Sequence, residues 1–347
     1  MKKLMQSIAA ILFIVGGLAA AIPAQAANSS TNNNIGFSVS AQTPDNQIDK
    51  QATFFDLKMK SGQTQTLRTR IYNTTNRDIR VKMGIHTAYT NSAGAIEYVT
   101  PAKKYDASLR YRVDQLTKIQ GPTTVTVPAN GSKVVSAKTT MPTSDFNGAL
   151  LGGWYFKRVD QKVTGEVKGA TNVSSVYSYV IGIKYSLGTA PSPVLKLSDV
   201  SAGMVNYHRS IVATLRNTTA VMIPRVTMKT VVTAKDSDKT VVKATKKGVM
   251  LAPNTTFNYP MLLNKQKLQA GTYHLHMVAT NSDHKWTFDR DFKISAATAK
   301  TYNDDTVDDN GISIWWLIGL GALGMLIIVL LVLWLVLWLK KRRQTQK

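Results

Sequence analysis

The feature that most constrains this chain is an uncharged apolar run, Ile312 to Leu339, whose sole hydroxyl is Ser313. At ~1.5 Å per residue such a run makes a helix of ~42 Å, long enough to cross a ~30 Å hydrocarbon core with some tilt. Trp315 and Trp316 stand near one end and Trp334 and Trp338 near the other, where amphipathic rings prefer to lie. Lys340, Lys341, Arg342 and Arg343 follow at once, while Asp304, Asp305, Asp308 and Asp309 precede it. Basic flanks stay on the cytoplasmic side. The bulk of the chain is therefore expected outside, with 312–339 as a transmembrane helix and 340–347 as a cytoplasmic basic tail.

The N-terminus gives the same orientation. Lys2 and Lys3 precede an apolar run, Ile8 to Ile22, which ends in Ala24-Gln25-Ala26. A basic start, a short apolar middle and small residues at the exit mark a secretory signal peptide, expected to span 1–26. No Leu-Pro-x-Thr-Gly sequence precedes the C-terminal helix, so covalent transfer to a wall is not expected and the helix should remain as the anchor.

Between the two apolar runs the chain reads as strands. Ile79, Val81, Met83 and Ile85 alternate with Arg80, Lys82 and Gly84, and Val176 to Leu187 carries β-branched and aromatic residues at the same period. Period-2 alternation cut by Gly, Pro and Asn turns is the strand signal, and many short strands favour sandwiches. The expected fold class is all-β: two tandem immunoglobulin-like β-sandwich domains plus one C-terminal transmembrane helix. Pro191 and Pro193 cannot both sit in a central strand. They place the boundary between an N-terminal domain at 35–188 and a C-terminal domain at 194–296. The strand ending at Leu187 could pair with either. Residues 297–311, with their aspartates, read as an acidic stalk.

A weak internal echo links the two domains. Asn73-Thr-Thr75 and Asn217-Thr-Thr219 each follow a strand and precede another. Later, Val127-Pro-Ala-Asn-Gly-Ser132 parallels Leu251-Ala-Pro-Asn-Thr-Thr256.

The chain has no cysteine, so packing must hold the domains without disulfides. Its 43 Lys and Arg against 20 Asp and Glu give +23, and a clear excess remains when Lys2, Lys3 and the basic tail are set aside. Such a field attracts polyanions. An outward location excludes nucleic acid and leaves wall polymers, anionic lipids and acidic surface proteins, or simply a solvated basic surface.

No catalytic pattern stands out: no Gly-x-Ser-x-Gly, no His-Glu-x-x-His, no phosphate-binding loop and no cysteine nucleophile. An enzyme, a cofactor and a metal are not expected. His274 and His276 share a strand face and could be half of a metal site, but solvated histidines explain them better. The aspartates at 304–309 lack the pattern of a calcium loop.

The expected activity is recognition. Asn46 and Gln47 open a segment running to Phe55 that could bind a ligand or could be only a loop. In the cluster 154–156, Trp154 and Phe156 should point to a core, leaving Tyr155 and Lys157 outward, where a ring beside a cation can stack on a sugar or anchor a peptide. Lys239 and Lys243 belong to a basic run, Lys235 to Lys247, that could meet a polyanion or merely be solvated. An open sheet edge could also accept a partner strand.

Several fragments together resemble the WxL-interacting proteins of Gram-positive bacteria. They are Phe37 to Gln47 (FSVSAQTPDNQ), Phe54 to Lys60 (FFDLKMK), Gln63 to Leu67 (QTQTL), Asn73-Thr-Thr, and Gly94 to Tyr98 (GAIEY). In the second domain they are Met250 to Pro260 (MLAPNTTFNYP), Ala270 to Tyr273 (AGTY) and Trp286 to Phe292 (WTFDRDF). The resemblance implies a non-enzymatic surface protein whose first domain binds peptidoglycan and whose second binds host extracellular proteins. It also implies WxL-domain surface proteins as partners and a domain junction earlier in the chain, near 157–170. The alternative is a structural presenter that holds neighbouring surface proteins by strand addition without binding glycan. A membrane-tethered wall hydrolase is a third reading.

Overall fold

The computed structural model describes residues 36–160, 177–237, 239–308 and 314–344; the expected signal peptide lies outside them. The fold is two β-sandwiches in tandem followed by a long apolar helix.

In the first sandwich, β1 (Phe37–Gln42), β3 (Thr64–Asn73), β9 (Ser132–Thr140) and β7 (Thr117–Gln120) form one sheet in the order β1-β3-β9-β7. The facing sheet runs β2-β11-β10-β4-β8, made of β2 (Phe55–Lys58), β11 (Ser178–Leu187), β10 (Gly148–Arg158), β4 (Ile79–Thr87) and β8 (Thr124–Val127). Alternation does what it should: Ile79, Val81 and Met83 of β4 and Trp154 and Phe156 of β10 enter the core with Leu67 and Ile71 from the other sheet. The strand β11, open to either domain by sequence, pairs antiparallel with β10 and parallel with β2, so it completes the first sandwich. A small hairpin, β5 (Tyr89–Thr90) and β6 (Ile96–Glu97), and one helical turn, α1 (Val113–Leu116), fill the connection between β4 and β7.

The second sandwich packs β12 (Leu195–Val205), β13 (His208–Asn217) and β16 (Thr255–Leu262) against β15 (Thr240–Leu251), β14 (Ile223–Ala234), β17 (Gly271–Thr280) and β18 (Lys285–Ile294). Ile211, Leu215, Met228, Phe257, Leu275 and Met277 are at its centre.

The echo noticed in the sequence is a repeated polar knot. Buried Asn73 donates from Nδ2 to the carbonyls of Arg77, Val127 and Pro128, while its Oδ1 accepts from Thr75 N and Oγ1. Buried Asn217 repeats this, with Nδ2 donating to Val221 and Ala252 and Oδ1 accepting from Thr219 N and Oγ1. Both knots close on a turn with a left-handed asparagine, Asn130 (φ 51°) and Asn254 (φ 47°). A buried carbonyl left without a donor is costly, so only a side chain with both donors and an acceptor serves here.

The segment after β18 departs from the stalk reading. It forms α2 (Ala296–Asp304), capped at its start by Ser295, and then folds back on the second sandwich. Asn303 brackets Leu268 from both sides, accepting from its N–H and donating to its carbonyl. Asp308 accepts from His208 Nδ1 at 2.6 Å and from Arg209 N at 3.2 Å. Asp308 is thus engaged by the second sandwich, while Asp304 and Asp305 remain exposed. The apolar run forms α3 (Ile314–Gln344), in which Trp316–Trp338 is long and apolar enough to cross a membrane.

The two sandwiches meet in a polar seam. The Asp106 side chain, 1% exposed, takes Arg216 Nε and Nη2 at 2.6 Å each and Thr256 Oγ1 at 2.5 Å. Burial alone would raise its pKa, but hydrogen bonds from Arg216, Thr256 and Ser108 reverse this and hold the carboxyl well below the usual range. Thr90 exchanges hydrogen bonds with Met250 O, Ala252 N and Thr255 Oγ1. Met250 N also donates to Gly94 O at 2.8 Å and Ala149 N to Ala220 O at 2.7 Å. Gly148 (φ 127°) is needed at this point, since a Cβ there would lie 2.2 Å from Ala220 O.

Three outcomes are expected from these contacts. Asn217→Ala should destabilise the second sandwich by about 2–3 kcal/mol, as buried carbonyls lose their donor, and denaturant unfolding of the protein measures it. Arg216→Ala leaves Asp106 buried without its cation, a cost of about 3 kcal/mol, and should split one thermal transition into two. Because the folded pKa of Asp106 is depressed, its stabilisation is complete above the unfolded value of about 4 and is lost as pH falls below that. The same split should therefore appear in the unaltered protein only on acidification below about pH 4.

Candidate functional site

The outer face of the β2-β11-β10-β4-β8 sheet carries the most distinctive surface of the first sandwich. Sheet alternation sends Trp154 and Phe156 inward and leaves Tyr155 and Lys157 outward. In register, Tyr155 is flanked by Gly84 of β4 and Val180 of β11, and Gly153 by His86 and Gly182. Glycines at three adjacent positions lower the floor, and large side chains lie over it. His86 stacks on Tyr155 with ring centroids 5.6 Å apart and planes at 27°. Tyr98 lies over Gly153, its Cβ 3.0 Å from where a side chain would begin, and its carbonyl is 3.2 Å from His86 Nδ1. Phe54 covers Gly182 and is partly exposed, as is Val180.

Cations rim this aromatic patch. Lys157 and Lys82 are cross-strand partners, and Lys184 reaches Asp56 at 3.1 Å. Burial pushes the Tyr98 hydroxyl up from its ordinary pKa. Chemically the face offers ring surfaces, hydroxyl and imidazole donors, and positive charge: a set suited to a sugar ring bearing acidic or amide substituents. Nearby, the Arg112 guanidinium lies 4.4 Å from the Tyr105 ring centroid.

Asn46 and Gln47 belong to a different part of the same sandwich. Asn46 lines an open polar hollow of about 460 Å³ with Gln42, Gln63, Gln65 and Arg68. It donates to Lys58 O and Met59 Sδ, which ties it to the end of β2. Gln47 is buried; its Nε2 donates to Asp49 O and Phe54 O and its Oε1 accepts from Asp56 N. Gln47 therefore shapes the loop and, through Phe54 and Asp56, the rim of the aromatic patch. Lys239 and Lys243 lie in the second sandwich, Lys243 on the edge strand β15 and Lys239 in the turn before it. The six residues thus fall into three places, not one. His86, Tyr98 and Phe54 were not singled out by sequence, and the cross-strand register that joins them has no local signature.

His274 and His276 point outward on the second sandwich. His274 Nδ1 meets Asp291 at 2.7 Å and His276 Nδ1 meets Asp289 at 2.7 Å. The hydrogen bond with Asp291 raises the His274 pKa from its ordinary value. Among the described residues no group of three or more His, Cys, Asp or Glu is arranged to hold a metal ion.

Comparison with known proteins places these features. The sequence model of the WxL Interacting Protein peptidoglycan binding domain matches residues 37–158, and that of its host binding domain matches residues 168–304. The second match thus begins before β11, a strand that the fold gives to the first sandwich. No curated protein matches the sequence. Among solved structures the chain is similar to the class 5 fimbriae chaperone CfaA (12% identity, 74% of this chain and 98% of that one, TM-score 0.28). It is also similar to the CsuC-CsuE chaperone-tip adhesion subunit pre-assembly complex from Acinetobacter baumannii (11%, 67% and 93%, TM-score 0.31) and to the E. coli chaperone DraB (12%, 75% and 97%, TM-score 0.28). Likeness of that degree is no guide to function. With both domain models matched in order over most of its length, the chain belongs to the WxL Interacting Protein family.

Proposed function

We propose that this protein is a non-enzymatic, membrane-anchored wall-binding adaptor, and that Tyr155, with His86 and Lys157, is where its first sandwich takes hold of peptidoglycan. The observation that carries this is the Tyr155–His86 stack on a glycine-floored sheet face rimmed by lysines, within the segment matched by the peptidoglycan binding domain. Ring faces bind the apolar side of a sugar, and the lysines answer the carboxylates of stem peptides. The hollow beside Asn46 supplies amides for further hydrogen bonds.

The second sandwich is the part that meets proteins. Among the described residues its edge strand β15 pairs within the sheet with β14 alone, apart from Met250 at its seam end, which bonds Gly94 and Thr90, and Lys243 and Lys247 stand exposed along it. An extended acidic segment of a WxL-domain partner or a host extracellular protein fits such an edge by strand addition. That mode also serves the alternative of a presenter without glycan affinity. The helix α3 anchors the protein with both sandwiches on the outer side and the basic residues 340–343 inside, following the positive-inside rule.

Sedimentation of the detergent-solubilised protein with purified peptidoglycan separates these readings. Tyr155→Ala combined with Lys157→Glu should weaken retention about tenfold, a loss of ~1.4 kcal/mol. Lys243→Glu should leave retention unchanged. Retention must persist near ~0.15 M salt, where diffuse charge attraction is screened within ~8 Å. Unchanged retention in the Tyr155 variant would remove the site; no retention by the unaltered protein would leave the presenter.

A further inference from the structure

The second sandwich has two ends with different neighbours. Arg216, Asn217 and Thr255 stand where β13 and β16 meet the seam with the first sandwich. Following β13 back to His208 leads ~30 Å away, at ~3.3 Å per residue, to the turn between β12 and β13. Tyr207 occupies that turn with φ 63° and is 69% exposed. Leu262, at 44%, and Val307, at 45%, are exposed beside it.

The chain leading to α3 is stitched to this turn. Thr306 Oγ1 and Val307 N both donate to Tyr207 O at 3.0 Å, and Asp308 is held by His208 and Arg209. Arg209 is fully buried and its guanidinium reaches Asn303 Oδ1 and Lys265 O, so the turn, the 263–270 loop and the final segment form one unit. From Asp308 to Ile314, the first residue of α3, the chain can span at most ~21 Å even when fully extended. The Tyr207 turn is thus confined to within about that distance of the point where α3 begins.

We propose that the Tyr207 turn is a membrane-contact surface, which seats on the anionic headgroups of the leaflet that α3 enters and holds the second sandwich against the bilayer. This rests on reading α3 as the membrane anchor. Tyrosine favours the headgroup layer, where its ring and hydroxyl are both satisfied, and Leu262 and Val307 add apolar surface beside it. Lys265 and Lys267 are exposed on the adjoining loop and Lys239 on the β14–β15 turn. Among the described residues the exposed acidic groups at this end are Asp236, Asp291 and Asp305, with Asp291 paired with Lys235 at 2.7 Å, and Asp304 is paired with Lys300 at 2.5 Å. The positive excess fits a surface of phosphate groups.

The absence of cysteine makes the test clean. The full chain carrying Gln266→Cys, between the two lysines, or Ser282→Cys, on the β17–β18 turn at the seam end, is labelled with a fluorophore. Each is reconstituted into vesicles containing phosphatidylglycerol and headgroup-nitroxide lipid. The Gln266→Cys label should be quenched several-fold more than the Ser282→Cys label. Adding Tyr207→Ala, Lys265→Glu and Lys267→Glu should bring it down towards the control, as should replacing phosphatidylglycerol with a zwitterionic lipid. Equal quenching at both positions, or quenching indifferent to both changes, overturns the contact while leaving the anchor intact. Protein that fails to float with the vesicles overturns the anchor and the contact together.

Discussion

A buried carboxylate sets the relation between the two halves of this molecule. Asp106 lies in the long connection between β4 and β7 of the first sandwich, yet its partners Arg216 and Thr256 belong to the second. Buried charge is tolerated only when every acceptor position is met, and here a bidentate arginine, a hydroxyl and a local serine meet it. The same connection carries Thr90 and Gly94, which hydrogen-bond β15 and its following turn. One insertion thus fixes the second sandwich and also supplies Tyr98 to the aromatic face. Polar contacts of this kind specify one docking geometry where an apolar surface would allow several.

That seam gives the protein a polarity. The proposed glycan face is on the sandwich remote from the apolar helix, and α2 with the residues up to Asp308 closes the other end of the second sandwich just before the helix. A chain without disulfides achieves this with buried amides and ion pairs: Asn73, Asn217, Arg209 and Asp106 each tie together segments that packing alone would leave to slide. A basic surface attracts polyanions without selecting among them. Selection then falls to the few places where rings, amides and cations converge.

Much of the fold was legible. Alternation in β4 and β10 assigned inward and outward residues correctly, and the repeated Asn-Thr-Thr turn pointed to the knot that both sandwiches share. What failed to show in the sequence shares a physical cause, namely pairing over long separations. Asp308 looked like part of a solvated stalk because His208 lies 100 residues earlier. Asp106 drew no attention because its partners are 110 and 150 residues away. The segment opened by Asn46 and Gln47 reads in sequence as either a ligand site or a loop, and the Gln47 amide is engaged by that loop's own backbone. Tyr155 was visible as an outward ring, but its partner His86 is set by strand register, which no local pattern encodes.

The Asp106 seam should make the two sandwiches one body, which would hold the proposed glycan face at a fixed position relative to the apolar helix. The most direct measurement is a double electron–electron resonance distance between spin labels on Lys82→Cys, in the first sandwich, and Lys247→Cys, in the second, in the bilayer-reconstituted protein. A single narrow distance distribution at neutral pH is expected. A broad or bimodal distribution under the same conditions would contradict the account, since the Asp106 seam would then not be holding.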